Sequence, residues 1–307
     1  MARIVVLGSL NVDLVAQVPH LPHAGETVLA ESLQTFAGGK GANQAAAAAR
    51  LGGDVAMVGR VGNDAFGATL MASLRGDGVD ISGVMRDPEF PTGTAMILVD
   101  RRGENTIAVA AGANARLDVD QVEIALRSLR QGDLLVVQLE IPTAIARLAI
   151  ARARHKGVRT LVNAAPAGRL TLTDLKGLDV LVTNEPETAA LVGHAVVDTS
   201  AALTAVNELH EQGIGIAVVT LGAAGAVFCE DGASQKVEPF AVMAVDSTAA
   251  GDAFVGALAV ALAGRIGLSQ AIRLANAAGA GAASKVGAQS SLPTRTDLER
   301  LFGVRWP

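Results

Sequence analysis

Two patterns of apolar and polar positions alternate along the chain. Short runs rich in β-branched residues are apolar on both faces, and Ala/Leu-rich runs with helical spacing lie between them. The strand-like runs cover residues 4–8, 55–59, 133–140, 160–164, 179–184 and 216–222, and the helix-like runs cover residues 42–51, 66–75 and 144–154. Strands apolar on both faces and separated by helices indicate a parallel sheet covered on each side. The pattern therefore predicts a doubly wound, three-layer αβα fold with a mainly parallel sheet.

Two segments break this pattern. Residues 14–37 and 92–110 alternate polar and apolar positions between turn signals, and D-R-R-G-E-N (100–105) is typical of a hairpin turn. They predict antiparallel strands that lie outside the main sheet and form a small β-sheet lid over the ligand site. A sheet of this size is too small to be a domain of its own, so we expect one α/β domain over residues 1–307.

Composition and charge narrow the function. The chain has 307 residues, 50% of them apolar, and a net charge of −5. Acidic and basic residues are interspersed, which gives no electrostatic footprint for nucleic acid or an anionic membrane. Cys229 is the single cysteine, so no intramolecular disulfide can form and we expect this side chain to fill the core. Because the sequence has no signal-peptide pattern and no run near the ~18 apolar residues of a membrane helix, we expect a cytoplasmic protein.

Polar residues follow the predicted strands, where ligands of an open α/β sheet bind. The first strand is followed by G-S-L-N-V-D, which ends in Asn11 and Asp13. Both residue types are common turn formers, and a ligand role is the alternative. A dinucleotide-binding protein would carry G-x-G-x-x-G at this point, so the sequence disfavours a dinucleotide oxidoreductase.

The segment A-G-G-K-G-A-N-Q (37–44) opens the first Ala-rich helix. Its glycines at 38, 39 and 41 would let the backbone approach a ligand, while Lys40 and Asn43 supply polar groups. A flexible turn before a helix is the simpler interpretation. The segment does not match a P-loop, because Gly41 rather than Ser or Thr follows the lysine.

Three further strand ends carry candidate residues. Glu140 ends a buried run, where it is either solvated or bonded to a ligand hydroxyl. Asn184 and Glu187 are spaced to form an N-terminal capping box or, alternatively, to hold hydrated Mg²⁺. The glycine-rich T-L-G-A-A-G-A (220–226) suits the face of a nucleotide, although tight turns share this composition.

The stretch D-S-T-A-A-G-D-A-F (246–254) carries most of the predicted chemistry. Small residues at 249–251 expose backbone N–H groups at the start of an apolar helix, which is a site for an oxyanion. Asp252 places a carboxylate beside that anion, which is unfavourable unless the carboxylate accepts a proton from an attacking hydroxyl. Stabilisation of the helix dipole is the structural alternative. The combination predicts phosphoryl transfer from ATP to an alcohol.

A monovalent cation is a further hypothesis for the region behind this turn. Asp246 and Thr248 supply a carboxylate and a hydroxyl, and the loop K-V-G-A-Q-S-S-L-P (285–293) is rich in exposed carbonyls. A cation held there would brace the anion site without touching the substrate.

In combination these motifs resemble the ribokinase, or PfkB-like, family of carbohydrate kinases. The resemblance rests on N-V-D, G-G-K-G-A-N-Q, N-x-x-E, D-S-T-A-A-G-D and V-G-A-Q-S-S-L-P, which follow the family's order over nearly the whole chain. It implies an αβα core with a β lid, and phosphorylation of the 5-hydroxyl of D-ribose with ATP and Mg²⁺. It also implies K⁺ as an activating cation and homodimers joined through the lids.

The resemblance assigns roles to residues of this chain. Asp252 would be the base, and the amides of Ala249, Ala250 and Gly251 would form the anion hole. The sugar ligands would be Asn11, Val12, Asp13, Gly39, Lys40, Gly41, Ala42, Asn43, Glu140 and Asp252. The nucleotide would contact Asn184, Thr220, Leu221, Gly222, Ala223, Ala224, Gly225, Gly251, Asp252 and Asn276. Glu187 would organise Mg²⁺ through water, and K⁺ would lie on Asp246, Thr248, Ala282, Lys285, Gly287 and Ser291. Ser247 and Ser290 depart from the threonine and proline that are frequent in the family, and both lie in this cation site.

Related kinases phosphorylate fructose, 2-keto-3-deoxygluconate, deoxyribose or nucleosides, so the sugar is the least specified part of the prediction. The paired carboxylates Asp13 and Glu140, with Asn11, Asn43 and Lys40, favour a small polyol. A nucleobase would need an apolar or aromatic slot. A non-catalytic sugar-binding protein is the alternative from another class, but it has no need of the A-A-G-D turn.

Overall fold

The computed structural model describes residues 2–306, and its strands form two sheets. The strands are β1 Ile4–Leu7, β2 Asn11–Gln17, β3 Ser32–Gly38, β4 Val55–Gly62, β5 Asp80–Asp87, β6 Gly93–Val99, β7 Asn105–Ala110, β8 Leu134–Val137, β9 Arg159–Asn163, β10 Val180–Asn184, β11 Ile216–Thr220, β12 Ala226–Glu230 and β13 Ala233–Val237. The helices are α1 Lys40–Arg50, α2 Ala65–Gly76, α3 Val119–Arg127, α4 Thr143–His155, α5 Leu172–Leu175, α6 Glu185–Val192, α7 Thr199–Glu211, α8 Ala250–Ala263, α9 Leu268–Ala283 and α10 Arg295–Phe302.

The large sheet has the strand order β13-β12-β11-β10-β9-β8-β1-β4-β5. All pairs from β11 to β5 are parallel, whereas β12 is antiparallel to both of its neighbours. The predicted αβα fold with a mainly parallel sheet is confirmed. The antiparallel edge was not predicted, although Asp231 and Gly232, with φ values of 51° and 75°, form the Asp-Gly turn that commonly joins two hairpin strands.

Alternate residues of the central strands point into two different cores. In β1, Ile4 and Val6 belong to a cluster with α1, α8 and α9, whereas Val5 and Leu7 belong to a cluster with α3, α4 and α7. Each of these four side chains is at most 1% exposed. Burial on both faces is the reason that apolar residues fill consecutive positions of these strands and do not alternate with polar ones. Within residues 2–306, no helix has both the length and the apolar character needed to cross a membrane.

The small sheet has the order β3-β2-β6-β7. Its outer pairs β2–β3 and β6–β7 are antiparallel, as expected, but the central pair β2–β6 is parallel. The prediction of purely antiparallel strands was therefore wrong. Because β1 and β5 are both parallel members of the large sheet, the chain leaves them at the same edge and continues into β2 and β6 in the same direction. The second sheet itself is confirmed, and its first strand begins at Asn11 rather than at residue 14.

Two strands of the large sheet end two or three residues earlier than the apolar pattern predicts. β8 ends at Val137 and β11 ends at Thr220, whereas the apolar runs extend to residues 140 and 222. Glu140 therefore lies in the connection between β8 and α4 and not in a strand. Polar residues of these connections stand above the carboxyl edge of the sheet, where a ligand of this architecture binds.

Helices α1 and α8 lie side by side in close contact. A Cβ atom built on Gly256 would lie 2.6 Å from Ala47 Cβ and 2.9 Å from the carbonyl oxygen of Gln44. The facing part of α1 is an uninterrupted alanine run at 45–49. Small residues on both helices therefore allow their first turns to meet at the carboxyl edge of the large sheet.

Candidate active site

Two predicted sugar ligands lie on the first strand of the small sheet. Asn11 opens β2 and Asp13 follows on the same face, and they are 3% and 8% exposed. They are strand residues rather than turn formers, because β2 pairs with β3 and β6 along its whole length. Since β2 follows β1 directly, both side chains stand at the carboxyl end of the large sheet.

The carboxylate of Glu140 joins this group from the connection after β8. Its Oε2 accepts hydrogen bonds from Ser9 Oγ at 2.6 Å, from the Lys40 backbone N–H at 3.1 Å and from Asn11 Nδ2 at 3.4 Å. All three bonds use one oxygen of a half-buried side chain. The other oxygen is left for a ligand hydroxyl, which favours the binding interpretation of Glu140 over simple solvation.

The glycines at the start of α1 bring this helix against the turn between β1 and β2. A Cβ atom on Gly39, which has φ 88°, would lie 2.6 Å from the Asn11 backbone nitrogen, and one on Gly41 would lie 2.6 Å from the Ser9 backbone nitrogen. The sequence pattern indicated that these glycines let the backbone approach a ligand. In the structure they let the backbone of α1 approach the backbone of the turn between β1 and β2. This approach places the first turn of α1, which carries Asn43, against the backbone of residues 8–11.

Asp252 lies in the first turn of α8 and is 6% exposed. Its Oδ2 accepts a hydrogen bond from Asn43 Nδ2 at 3.0 Å, and its Oδ1 accepts one from Gln44 Nε2 at 2.9 Å. Burial raises the pKa of Asp252 above its ordinary value, against the opposing effects of the Lys40 ammonium and of the two amide donors. A carboxylate fixed at both oxygens and with raised proton affinity is suited to accept a proton from a bound hydroxyl.

No side chain caps the N-terminus of α8. Its N-cap residue, Ala249, has φ 60°, a left-handed conformation that is uncommon for a residue with a Cβ atom. The Ala250 N–H donates to the Ser247 carbonyl at 3.2 Å, so this predicted anion-hole amide already has an acceptor. The N–H groups of Gly251 and Asp252 lie in the first helical turn, where no intrahelical acceptor exists. These two amides are therefore available to an anion.

Five ionisable groups interact across the site. Burial, followed by the charges of Glu140 and Asp252, raises the pKa of Asp13 to about 7. Burial alone would lower the pKa of Lys40, but the carboxylates of Asp252, Glu140 and Glu187 outweigh it and raise that pKa. Lys40 therefore stays protonated and offsets the mutual repulsion of the carboxylates around it.

Asn184 and Glu187 form the capping box that their spacing indicated. Asn184 Oδ1 accepts a hydrogen bond from the Glu187 N–H at 2.9 Å, and Glu187 Oε2 accepts one from the Asn184 N–H at 3.0 Å. Burial raises the pKa of Glu187, with opposing effects from Asn184 and Lys40. The capping role uses only one carboxylate oxygen, so the structural interpretation and the predicted water-mediated metal role do not exclude each other.

The predicted nucleotide loop follows β11 at Thr220 and forms a short turn over Gly222–Ala224. Residues 222–224 are exposed, and a Cβ atom on Gly225, which has φ 91°, would lie 2.3 Å from the Val237 carbonyl oxygen. Asn276 Nδ2 donates to the carbonyls of residues 237–238 at 3.2 and 3.0 Å. Asn276 thus supports the segment that packs against this turn.

Asp246 links the two segments that are predicted to hold a monovalent cation. Its Oδ1 accepts a hydrogen bond from the Thr248 N–H and its Oδ2 accepts one from the Gly287 N–H, both at 2.9 Å. Burial alone would raise the pKa of Asp246, but the bonds from Thr248 and Gly287 lower it. Asp246 is therefore ionised at neutral pH beside the turn that precedes α8.

The other predicted cation ligands are engaged within the protein. The Ala282 carbonyl accepts a hydrogen bond from the Lys285 N–H at 3.1 Å, and Lys285 Nζ lies 3.8 Å from the carboxylate of Asp297. Ser291 Oγ donates to the Ala288 carbonyl at 2.8 Å. A carbonyl oxygen has a second lone pair, so these bonds leave the predicted backbone ligands able to bind a cation.

Three of the predicted sugar and nucleotide ligands have their side chains in the core instead of the site. Val12, Ala42 and Leu221 are 1%, 0% and 6% exposed and belong to the apolar clusters on the two faces of the large sheet. Any contact that they make with a ligand would come from their backbone atoms.

Three polar residues that bond directly to Glu140, Asp252 or Asn11 were not predicted from the sequence: Ser9, Gln44 and Asn114. Asn114 Nδ2 donates to Asn11 Oδ1 at 2.7 Å, and Asn114 Oδ1 accepts from the Leu10 N–H at 2.9 Å. Ser9 lies in G-S-L-N-V-D and Gln44 lies in A-G-G-K-G-A-N-Q. Each could have been recognised as a polar residue among positions that are otherwise expected to be buried. Asn114 lies far along the chain and belongs to no motif.

The arrangement can accept a proton and hold an anion at adjacent points. Asp252 is a buried carboxylate that is placed to accept a proton, and the first turn of α8 supplies backbone donors beside it. Asn43 Oδ1 is buried and has no hydrogen-bond partner within residues 2–306, which fits an acceptor for a ligand hydroxyl. In the same range no group of three or more His, Cys, Asp or Glu residues is arranged to hold a metal ion. The geometry therefore fits transfer of an anionic group to a bound alcohol.

Comparisons with known proteins agree with this chemistry. The family described as "pfkB family carbohydrate kinase" matches residues 1–295. The ribokinase of Haemophilus influenzae is 39% identical over 292 residues, which are 95% of each chain. The deoxyribokinase of Salmonella typhi is 35% identical over 83% of this chain and 84% of its own length. A solved structure of Arabidopsis thaliana ribokinase, described as complexed with ribose and ATP, has a TM-score of 0.88 at 32% identity and covers 98% of each chain.

These relationships cover nearly the whole chain at identities that show common membership of one family. The predictions of a ribokinase-like fold and of a sugar kinase are confirmed. The chain belongs to the pfkB family of carbohydrate kinases, as its motifs predicted.

Proposed function

We propose that the protein transfers the γ-phosphoryl group of ATP to the 5-hydroxyl of D-ribose, giving ribose 5-phosphate and ADP. The observation that carries this proposal is Asp252, a buried carboxylate held at both oxygens beside the uncapped N-terminus of α8. The ribokinases among its relatives, and the Arabidopsis thaliana structure described with ribose and ATP, support ribose and ATP as the substrates.

In this proposal the sugar binds between the two sheets. Four polar side chains would form hydrogen bonds with its hydroxyls: Asn11 and Asp13 on β2, Glu140 after β8 and Asn43 on α1. These side chains come from separate elements that meet at one point. The unpaired Asn43 Oδ1 would accept one of these hydroxyl hydrogens. The 5-hydroxyl would then lie against Asp252.

The reaction proceeds by proton transfer to Asp252 and attack of the 5-oxygen on the γ-phosphorus. The bond from phosphorus to the bridging oxygen breaks, and ADP keeps the electron pair. Backbone amides at 249–251 and the Asp252 N–H would hold the charge of the moving group, where the helix dipole adds a favourable field. The Ala250 amide contributes less than its neighbours, because the Ser247 carbonyl already occupies it.

The nucleotide would lie along the connections after β10 and β11. Asn184 and the segment Thr220–Gly225 would line it, with Asn276 supporting the wall formed by residues 237–238. Mg²⁺ would neutralise charge on the transferred phosphate groups. Glu187 would hold a water of that ion through the oxygen that its capping bond leaves over.

Potassium is proposed as the monovalent cation beside the anion site. The donor set fits this ion, because an ionised carboxylate and backbone carbonyls are its preferred oxygen ligands. Asp246 would be the charged ligand, and the backbone at 248, 282, 285, 287 and 291 would supply the other oxygens.

The small sheet is proposed as a lid of a single α/β domain, because it carries Asn11 and Asp13 on β2, the strand that follows β1 of the large sheet in the chain. Closure would exclude water from the phosphoryl group. A homodimer joined through the lids and a cytoplasmic location stay predictions.

A second candidate substrate is 2-deoxy-D-ribose. The observation that favours it is the 35% identity to a deoxyribokinase over most of the chain. The same base, anion site and 5-hydroxyl would serve both sugars. Their difference is one hydroxyl, and a site with polar groups built to bond that hydroxyl rejects the sugar that lacks it.

The test is a sugar panel with the purified protein, ATP, Mg²⁺ and K⁺, read as ADP release and as the ³¹P resonance of the product. We expect D-ribose to give the highest kcat/KM and a 5-phosphate. A higher kcat/KM for 2-deoxyribose would transfer the assignment to that sugar. Preference for fructose or a nucleoside would overturn both, and absence of ADP release with every sugar would overturn the kinase proposal itself.

A further inference from the structure

Gln44 lies next to the catalytic carboxylate but outside the groups that the proposed reaction uses. It is a residue of α1, is 1% exposed, and none of its side-chain atoms needs to touch sugar or nucleotide. A glutamine this deeply buried in an alanine-rich helix interrupts an otherwise apolar surface. Its polar atoms therefore call for partners within the protein.

The Gln44 amide uses all of its hydrogen atoms on two acceptors. Gln44 Nε2 donates to Asp252 Oδ1 at 2.9 Å and to Asn163 Oδ1 at 3.1 Å, and Gln44 Oε1 accepts from Gln138 Nε2 at 2.6 Å. Three separate elements therefore meet on this side chain: the end of β9, the connection after β8 and the first turn of α8. The amide group is held on every side.

The orientation of these amides is set at both ends of the network. At one end, Asn163 Nδ2 donates to the Val182 carbonyl at 3.2 Å, so that its oxygen must face Gln44. At the other end, the ionised Asp252 accepts and cannot donate. Gln44 must then direct Nε2 to both of these acceptors and Oε1 to Gln138.

The orientation of the Gln138 amide leaves its own oxygen without a hydrogen bond. Gln138 Oε1 is buried and has no hydrogen-bond partner within residues 2–306. It lies against Gly8, where a Cβ atom would be only 2.0 Å away. If the Gln138 amide were flipped, its oxygen would face Gln44 Oε1, and the two oxygens would repel each other. The observed orientation leaves Gln138 Oε1 unpaired but keeps Gln44 Nε2 directed at Asp252.

We propose that Gln44 is a positioning residue for Asp252, held in place by Gln138 and Asn163. It fixes Oδ1 while Asn43 fixes Oδ2, so the carboxylate cannot rotate and its remaining lone pairs stay directed at the sugar hydroxyl. This inference rests on the proposed function, because it assigns Asp252 the role of proton acceptor.

The role has a signature in the titration of Asp252. Gln44 and Asn43 are donors to the ionised form and lower the pKa of Asp252, in the same direction as the Lys40 ammonium. Glu140 raises this pKa, and Asp13 and Glu187 are the other carboxylates that interact with Asp252. Loss of the Gln44 donor alone therefore raises the pKa of Asp252, whereas looser packing that admits water to this carboxylate would lower it.

The test compares three variants of similar shape. Gln44→Met removes the donor, and Gln138→Met leaves the donor but frees its orientation. Gln121→Met is the matched control, because Gln121 is a fully buried glutamine of α3, on the opposite face of the large sheet. For each, kcat and KM are measured over a range of pH, and the ¹³C resonance of the Asp252 carboxyl, assigned with Asp252→Asn, is titrated in the free protein.

We expect Gln44→Met to lower kcat by about 10- to 100-fold, with KM for sugar and ATP changed less than about 3-fold. The acid limb of its kcat profile and the carboxyl titration should both move to higher pH. Gln138→Met should do the same to a smaller extent, and it carries the test if Gln44→Met does not fold. Gln121→Met should leave both curves in place.

An unchanged kcat in Gln44→Met would overturn the positioning role, and so would a lower kcat with an unmoved titration. Equal shifts in Gln121→Met would also overturn it. The titration separates this inference from the proposed function: a wild-type protein that phosphorylates no sugar would refute the function, while the carboxyl resonance would still report whether Gln44 holds Asp252.

Discussion

Asn43 Nδ2 donates a hydrogen bond to Asp252 Oδ2 at 3.0 Å, which joins the first turn of α1 to the first turn of α8. The two residues are far apart in the sequence but belong to the two most specific motifs of the chain. Their contact brings the proposed sugar ligand and the proposed base to the same point. Predictions about the reaction can therefore be made by changing one group at a time around this contact.

Replacement of Asp252 by asparagine should remove the proton acceptor with little change of shape. We expect turnover to fall by about 100-fold or more, while ATP and ribose bind with nearly unchanged affinity. Steady-state kinetics and calorimetric titration of both ligands measure the two effects separately. An unchanged rate would remove Asp252 from the mechanism.

Asp13 should make the stability of the ligand-free protein depend on pH. Its pKa is raised from 3.8 to about 7 in the folded state, so the folded protein binds more protons than the unfolded chain between these values. Stability contributed by this group is therefore fully present below pH 3.8 and is lost as pH rises through 7. Between about pH 5 and pH 8 the loss amounts to roughly 2–3 kcal/mol.

Asp13→Asn supplies the comparison for this prediction, because an amide cannot ionise. Urea denaturation from pH 5 to pH 8 should show a smaller decline of unfolding free energy in the variant than in the wild type. Parallel pH curves for the two proteins would contradict a raised Asp13 pKa. The variant should also bind ribose more weakly, since it lacks one carboxylate acceptor.

Gly251→Ala tests whether the space beside the first turn of α8 belongs to a ligand. A Cβ atom at this position meets nothing within 4 Å in the protein, so the variant should fold with unchanged or slightly higher stability. Turnover should nevertheless fall by about 10-fold or more, because the methyl group occupies the space of the transferred phosphoryl group.

Gly76→Ala is the matched control for that change. Gly76 ends α2, and a Cβ atom there also meets nothing within 4 Å. Thermal unfolding and kcat are compared in the two variants. If both retain full activity, the anion does not bind next to Gly251.

Asp246 should determine the response to potassium. We expect activity to rise when K⁺ replaces Na⁺ and this response to disappear in Asp246→Ala, which lacks the charged ligand. Asp179→Ala is a suitable control, because Asp179 also accepts two bonds, from the backbone and hydroxyl of Thr160, at the opposite edge of the sheet. A potassium response that survives in Asp246→Ala would move the cation site elsewhere.

The sequence was most informative where structure and chemistry depend on neighbours in the chain. Apolar runs predicted the central strands because each strand is buried on both faces. The A-A-G-D turn and the capping box at Asn184 could be predicted for the same reason, since a helix terminus is defined by a few consecutive residues.

The remaining features depend on segments that meet only in the folded chain. The parallel pairing of β2 with β6 follows from where β1 and β5 leave the large sheet, and no local pattern encodes it. The partners of Gln44 come from residues 138 and 163, whose glutamine and asparagine side chains look like ordinary strand-end residues in the sequence. Similarly, Asp13 acquires its raised pKa only when folding buries it and brings Glu140 and Asp252 close to it.

The contact at Gly256 has a consequence for the accuracy of the enzyme. This residue lies one helical turn beyond Asp252, at the point where α8 meets the alanines of α1. A methyl group at residue 256 would push the axes of α1 and α8 apart. The side-chain amides of Asn43 and Gln44 would then move away from the Asp252 carboxylate to which they donate. The orientation of the proposed base would thus depend on the absence of a side chain at residue 256, deep in the apolar contact between the two helices.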